Sequence, residues 1–90
     1  MKTYIISYDL SQPGQNYEEL LKRIKSYSQW ARLGGSAYII MTDKSHTEIR
    51  DNLLEVLDKN DKLFVGTVSA PAAWYGLGSE VSNWLIDKLK

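Results

Sequence analysis

The chain has 90 residues, 11 basic and 11 acidic side chains, and no cysteine. This length is typical of one small domain, so we treat residues 1–90 as a single domain. The neutral charge balance argues against a strong bulk attraction to nucleic acid, although it leaves room for a local basic patch. The absence of cysteine excludes disulfides, thiolate nucleophiles and thiolate metal sites.

Membrane and export signals are missing from the hydropathy pattern. No apolar stretch approaches the length of a membrane span, and residues 1–10 lack the apolar region of a signal peptide. We therefore expect a cytoplasmic protein with no membrane partner.

The first predicted element is a strand at residues 2–10, where successive side chains alternate between a more apolar set and a more polar set. The face expected under helices carries Tyr4, Ile6, Tyr8 and Leu10. The other face carries Thr3, Ile5, Ser7 and Asp9. Asp9 thus lies where the strand gives way to a loop.

A helix is predicted next, from Tyr17 until about residues 27–29. Pro13 and Gly14 mark a turn before it, and Asn16 with Glu19 is close to a capping-box pattern. Apolar side chains then recur at helical spacing, which indicates one buried helix face.

Residues 30–33 and 36–42 predict a β-hairpin, with Gly34 and Gly35 as its turn or as a bulge. The second segment is strongly β-like. The first is short, and a loop is the alternative.

Ser45 and Glu48 form a capping box that opens a second helix, and residues 62–68 form another strand. The order so far is β-α-β-β-α-β, which is typical of ferredoxin-like α+β domains. Such a domain has one antiparallel sheet, two helices on one face, and an open second face.

The C-terminal tail extends beyond that core. Ser79 is a candidate cap for a last helix. The apolar stripe of this helix is Val81, Trp84, Leu85 and Leu89. We expect the ferredoxin-like core to carry this additional helix, and Trp84 is an alternative cover for the open face.

Asp9 is the strongest candidate for a chemical role. A carboxylate at the end of a central strand can bind Mg²⁺ through oxygen. One carboxylate per chain is a poor site, but a two-fold axis would bring two together. The alternative is that Asp9 accepts backbone N–H groups in the turn that follows.

Trp30 and Arg32 are the candidates for nucleic-acid binding, because an aromatic ring beside arginine can stack on bases. The alternative for the tryptophans is core or interface packing. An open sheet face also invites comparison with RNA-recognition motifs, but the matched outward aromatics of those motifs are missing.

The run Tyr4-Ile5-Ile6-Ser7-Tyr8-Asp9-Leu10 resembles the opening strand of the Cas2 family of CRISPR-associated proteins. The following helix, hairpin, Ser-x-x-Glu helix start and fourth strand appear in the Cas2 order, so that the resemblance covers about residues 1–68. The layout including the Ala-Ala-Trp stretch and the helical tail is similar to the SinR-like proteins, which are small Cas2-related chains. VapD-type toxins share the fold.

The Cas2 resemblance implies a homodimer joined through its sheets, with Asp9 of each protomer as metal-binding aspartate near the axis. It implies either a Mg²⁺-dependent nuclease or a non-catalytic dimer that scaffolds nucleic acid or a partner protein. An RNA-binding sheet is the third hypothesis. The chain departs from the family in its neutral charge and in its helical C-terminus, where Cas2 proteins usually end in a strand.

Overall fold

The computed structural model describes residues 1–11 and 17–89. Its elements are β1 (Lys2–Asp9), α1 (Tyr17–Ile24), β2 (Gln29–Gly34), β3 (Ala37–Thr42), α2 (His46–Leu54), β4 (Lys62–Thr67) and α3 (Ser79–Lys88). The sheet order is β2-β3-β1-β4, and every pairing is antiparallel. This is the predicted ferredoxin-like arrangement with an added C-terminal helix. None of the described helices has the length and apolar character needed to cross a bilayer.

The first face of the sheet lies under α1 and α2, as the alternation in β1 predicts. The fully buried side chains of this layer come from both the sheet and the helices, and they include Tyr4, Ile6, Ile40, Leu20, Ile24, Ile49 and Leu53. Removing each such side chain from water contributes about 1.5–3 kcal/mol, so this layer fixes which way β1 faces. Asp9 and Ser7 consequently point to the second face.

The hairpin prediction is confirmed, and β2 is a strand rather than a loop. Gly34 and Gly35 have φ of 131° and 42°, and the pairing register shifts between Arg32 and Gly34. Glycine reaches positive φ without the steric cost that a Cβ imposes. The glycine pair therefore supplies both the turn and the bulge.

The capping box of α2 is confirmed, whereas the predicted cap of α3 is wrong. Ser45 Oγ accepts the Glu48 N–H at 3.1 Å, and Glu48 Oε1 accepts the Ser45 N–H at 3.1 Å. The residue before α3 is Gly78 in an extended conformation, and Ser79 is already helical. The predicted turn at residues 13–14 and the Asn16 cap lie outside the described residues.

The second face of the sheet is partly covered by α3, which is the alternative that the sequence left open for the helix carrying Trp84. Leu85 of α3 and Leu89, the residue that follows the helix, form a buried cluster with Ile39 of β3, and Trp84 and Ile5 pack against it. The apolar stripe of α3 finds its partner on this face because Ile5 and Ile39 face each other across β1 and β3. Burial of this second layer adds to a core that a chain of this length needs.

Candidate functional site

Asp9 is exposed at the end of β1 and lies on the second face, as predicted. Its direct neighbour across the sheet is Lys62, the first residue of β4. Paired residues of an antiparallel ladder project to the same face, so a carboxylate and an ammonium group share this end of the sheet. Among residues 1–11 and 17–89, no hydrogen bond or ion pair reaches the Asp9 carboxylate.

The carboxylate that accepts backbone N–H groups at this end of the sheet is Asp61. Its Oδ1 accepts the Ser11 N–H at 2.8 Å and the Ser11 hydroxyl at 3.0 Å, and its Oδ2 accepts the Asp58 N–H at 2.8 Å. These bonds, first that from the Ser11 N–H, lower the pKa of Asp61. Asp61 thereby ties the chain leaving β1 to the chain entering β4, a role that the sequence analysis missed.

A metal site within one protomer is not built from the described residues. Residues 1–11 and 17–89 contain no group of three or more His, Cys, Asp or Glu side chains that could hold an ion. Asp9 offers one carboxylate, and the Lys62 ammonium group opposite it disfavours a second positive charge nearby. Mg²⁺ at Asp9 would therefore need oxygen ligands from a second copy.

Phe64 is the largest apolar side chain that the second face leaves uncovered. It is 64% exposed, on the edge strand β4, and is paired with Ser7 of β1. A Cβ at Gly66 would lie 2.9 Å from a ring carbon of Phe64, so a larger residue there would require the exposed ring to shift. We call Ser7, Asp9, Lys62 and Phe64 the open patch.

The sequence carried a signal for the open patch in β4. Leu63 and Val65 alternate with Phe64 and Gly66, and the first pair packs against the core beneath α1 and α2. Period-two alternation therefore places Phe64 on the second face. Its exposure depends on how far α3 reaches across the sheet, which alternation does not predict.

Trp30 and Arg32 lie on the first face, at the edge strand β2. Trp30 is 41% exposed, and Lys25 Nζ lies 5.0 Å from the centroid of its ring. The Tyr38 ring lies 6.1 Å away at a tilt of 54°, and Arg32 is exposed opposite Tyr38. The Trp30 ring thus contacts Lys25 and Tyr38 on the protein and is partly exposed to solvent. We call Lys25, Trp30 and Arg32 the tryptophan patch.

Two buried tyrosines lie near the tryptophan patch. Burial raises the pKa of Tyr8 well above its usual value, and the nearby Tyr17 hydroxyl raises it further. Burial likewise raises the pKa of Tyr38. The Arg32 charge opposes both shifts because it favours the phenolate form. Both phenols therefore stay neutral, and the charge of this region comes from Arg32 and Lys25.

The structure does not bring the predicted site residues together. Asp9 projects from the second face near β4, whereas Trp30 and Arg32 project from the first face at β2. The strands β3 and β1 separate the two edges. Nucleic acid bound to the tryptophan patch would therefore have to pass around the edge of the sheet to reach Asp9 of the same protomer.

The second face does not have the aromatic platform of an RNA-recognition motif. The central strands β1 and β3 present Ile5, Ser7, Ala37 and Ile39 there. Base stacking on a sheet requires aromatic rings on such central positions. In addition, α3 covers Ile5 and Ile39. This arrangement does not favour the RNA-binding sheet hypothesis.

No protein-family model matches the chain, and no curated protein matches it in sequence. Among solved structures, the chain is similar to the crystal structure of a hypothetical protein from Thermus thermophilus, with a TM-score of 0.68 and 22% sequence identity. The match covers 86% of this chain and 93% of that chain. At this identity the likeness shows a shared fold and nothing about activity.

Proposed function

We propose that the protein is a Cas2-like homodimer that scaffolds nucleic acid or a partner protein without cleaving it. The observation that carries this proposal is the open patch, where the 64% exposed Phe64 lies beside Asp9 and Lys62 on the part of the second face that α3 leaves uncovered. Exposed aromatic side chains surrounded by polar groups are typical of interaction sites.

The open patch suits self-association about a two-fold axis. In such an interface each surface meets its own copy, so Asp9 of one protomer can face Lys62 of the other while the two Phe64 rings pack together. The free edge of β4 lies beside the patch and offers further backbone groups for pairing. A stable interface buries about 800 Å² per partner, so we expect both the patch and this edge to take part.

Sedimentation equilibrium tests the dimer directly. We expect the wild-type chain to sediment as a dimer at micromolar concentration. Phe64→Asp should shift it to monomer, because a buried charge without a partner opposes association. Leu54→Asp is the matched control, since Leu54 is 49% exposed on α2, away from the second face. A monomeric wild type, or equal effects of the two substitutions, would contradict the proposed interface.

The tryptophan patch favours nucleic acid as the molecule that the dimer binds. It combines an exposed indole with two cationic side chains, and the Arg32 guanidinium has no ion-pair or hydrogen-bond partner among the described residues. Aromatic rings stack on bases, and cations contact phosphates. The neutral net charge means that binding depends on this local patch rather than on bulk attraction.

A Mg²⁺-dependent nuclease is the second candidate function. The exposure of Asp9 and its lack of a described partner favour this candidate, because both oxygens are free for a cation. Two Asp9 carboxylates across the dimer axis would hold Mg²⁺, which would offset phosphate charge and activate water. This candidate requires the dimer, whereas the scaffold requires no metal.

A further inference from the structure

An apolar cavity that is widely open to solvent on one side lies between the second face of the sheet and the C-terminal segment. Its volume is about 400 Å³, which is within the range of small-ligand sites. Ile5 and Ile39 line it from the sheet, Leu85 from α3, Leu89 from just after this helix, and residues 72–75 and Leu77 from the connection. The cavity is therefore separate from both the open patch and the tryptophan patch.

No charged side chain lines this cavity. The indole N–H of Trp74 donates to Ser82 Oγ at 3.0 Å, which fixes the tryptophan ring against the first turn of α3. Its polar group is thus satisfied outside the cavity. A site of this kind excludes charged molecules, because burying an unpaired charge is far more costly than burying apolar surface.

Tyr75 lines the same cavity, yet its surface is fully exposed to solvent. A phenol ring without protein contact beside an apolar cavity leaves about 150–250 Å² of side chain without a partner. Gly76 follows with φ of 83°, a conformation that glycine adopts readily. The position of Tyr75 suits a side chain that packs onto a molecule held in the cavity.

We propose that this cavity binds a small, uncharged apolar or aromatic molecule and that Tyr75 covers it. The ring of Tyr75 contacts the ligand while its hydroxyl stays in water. The Trp74 ring and the aliphatic side chains of Ile39 and Leu85 form the walls. This site adds a ligand to the protein and does not depend on the dimer or on nucleic acid.

The test uses N-phenylnaphthylamine, an uncharged probe whose fluorescence rises in apolar surroundings. We expect saturable binding to the wild-type chain. Val68→Phe and Ala73→Trp each add a ring at a position that lines the cavity, so both should abolish saturable binding. Tyr75→Ala should weaken binding by about threefold to tenfold, which is the contribution of one aromatic contact.

Two controls keep the result specific. Ile86→Ala removes a 59% exposed apolar side chain that does not line the cavity, and Phe64→Asp alters the open patch. Both should leave probe affinity unchanged. Circular dichroism must show that each variant is folded, and two cavity-filling variants guard against the failure of one. An absence of saturable binding to the wild type, or undiminished binding in folded cavity-filling variants, would overturn the proposal.

Discussion

Asp9 and Lys62 face each other across β1 and β4, at the end of the sheet that α3 does not cover. They form no ion pair with each other. Their opposite charges therefore remain available to a second copy of the chain, in which each can pair with the other residue. This relationship makes Asp9 as suitable for holding a dimer together as for holding a metal ion.

The first prediction concerns catalysis. We expect the wild-type chain to cleave RNA and DNA in Mg²⁺ no faster than the Asp9→Asn variant. The reason is that one carboxylate opposite a lysine supplies too few oxygen ligands for a good Mg²⁺ site. Cleavage assays with Mg²⁺ and with chelator measure this. Asp43→Asn is the control, since Asp43 is also an exposed strand-end carboxylate. Chelator-sensitive cleavage that only Asp9→Asn removes, with the dimer intact, would establish the nuclease instead.

The second prediction concerns nucleic-acid binding. Trp30→Ala should weaken binding to single-stranded oligonucleotides by about 1–3 kcal/mol, the range measured for base–aromatic stacking. Arg32→Gln should reduce the slope of log affinity against log salt by about one. Filter binding at several salt concentrations measures both quantities.

The matched control for Arg32 is Arg50→Gln, which removes the same charge from an arginine that already pairs with Asp51 at 2.9 Å. We expect Arg50→Gln to leave the salt slope unchanged. If both arginine variants lower it equally, the tryptophan patch is not the specific contact.

The third prediction concerns acid stability. The pKa of Asp61 is lowered in the folded chain, so its bonds stabilise the fold fully above the unfolded aspartate pKa of about 3.9. That contribution is lost as the pH falls from there through the lowered folded pKa. Asp61→Asn should therefore show a smaller loss of stability on acidification, measured by urea unfolding at neutral and acidic pH. Asp58→Asn, which keeps the backbone donor, should behave like wild type.

The fourth prediction compares two buried tyrosines. The Tyr8 hydroxyl is buried and has no hydrogen-bond partner among the described residues. The Tyr4 hydroxyl, in contrast, donates to the Lys44 carbonyl at 3.0 Å. Tyr4→Phe should lower the free energy of unfolding by about 1 kcal/mol. Tyr8→Phe should leave it unchanged or raise it slightly. Chemical denaturation measures both, and a larger loss in Tyr8→Phe would reveal a missed partner.

The sequence predicts the first layer of the fold well, because local chemistry determines it. Alternation in β1, the Ser45–Glu48 capping box and the Gly34–Gly35 pair each specify their own geometry within a few residues. Local sequence does not determine how α3 covers the second face of the sheet. Residues 69–78 have no periodicity, so where the helix returns to the sheet depends on the tertiary fit of Leu85 and Leu89 to Ile39.

The candidate site shows the same division. Asp9 could be placed on the second face from the alternation of β1 alone. The face of Trp30 depends on the register of the hairpin, which a bulge shifts between Arg32 and Gly34. A shift of one residue exchanges the two faces, so sequence could not place Trp30 and Asp9 relative to each other.

The bulge in β2 has a consequence for how the protein behaves at high concentration. A bulged edge is twisted and poorly suited to accept another strand, and Gly34 at this edge adds no side chain to a new pairing. The opposite edge, β4, is a regular strand of six residues. We therefore expect any strand pairing between copies to use β4 alone, which would stop at closed pairs and would not extend into fibres.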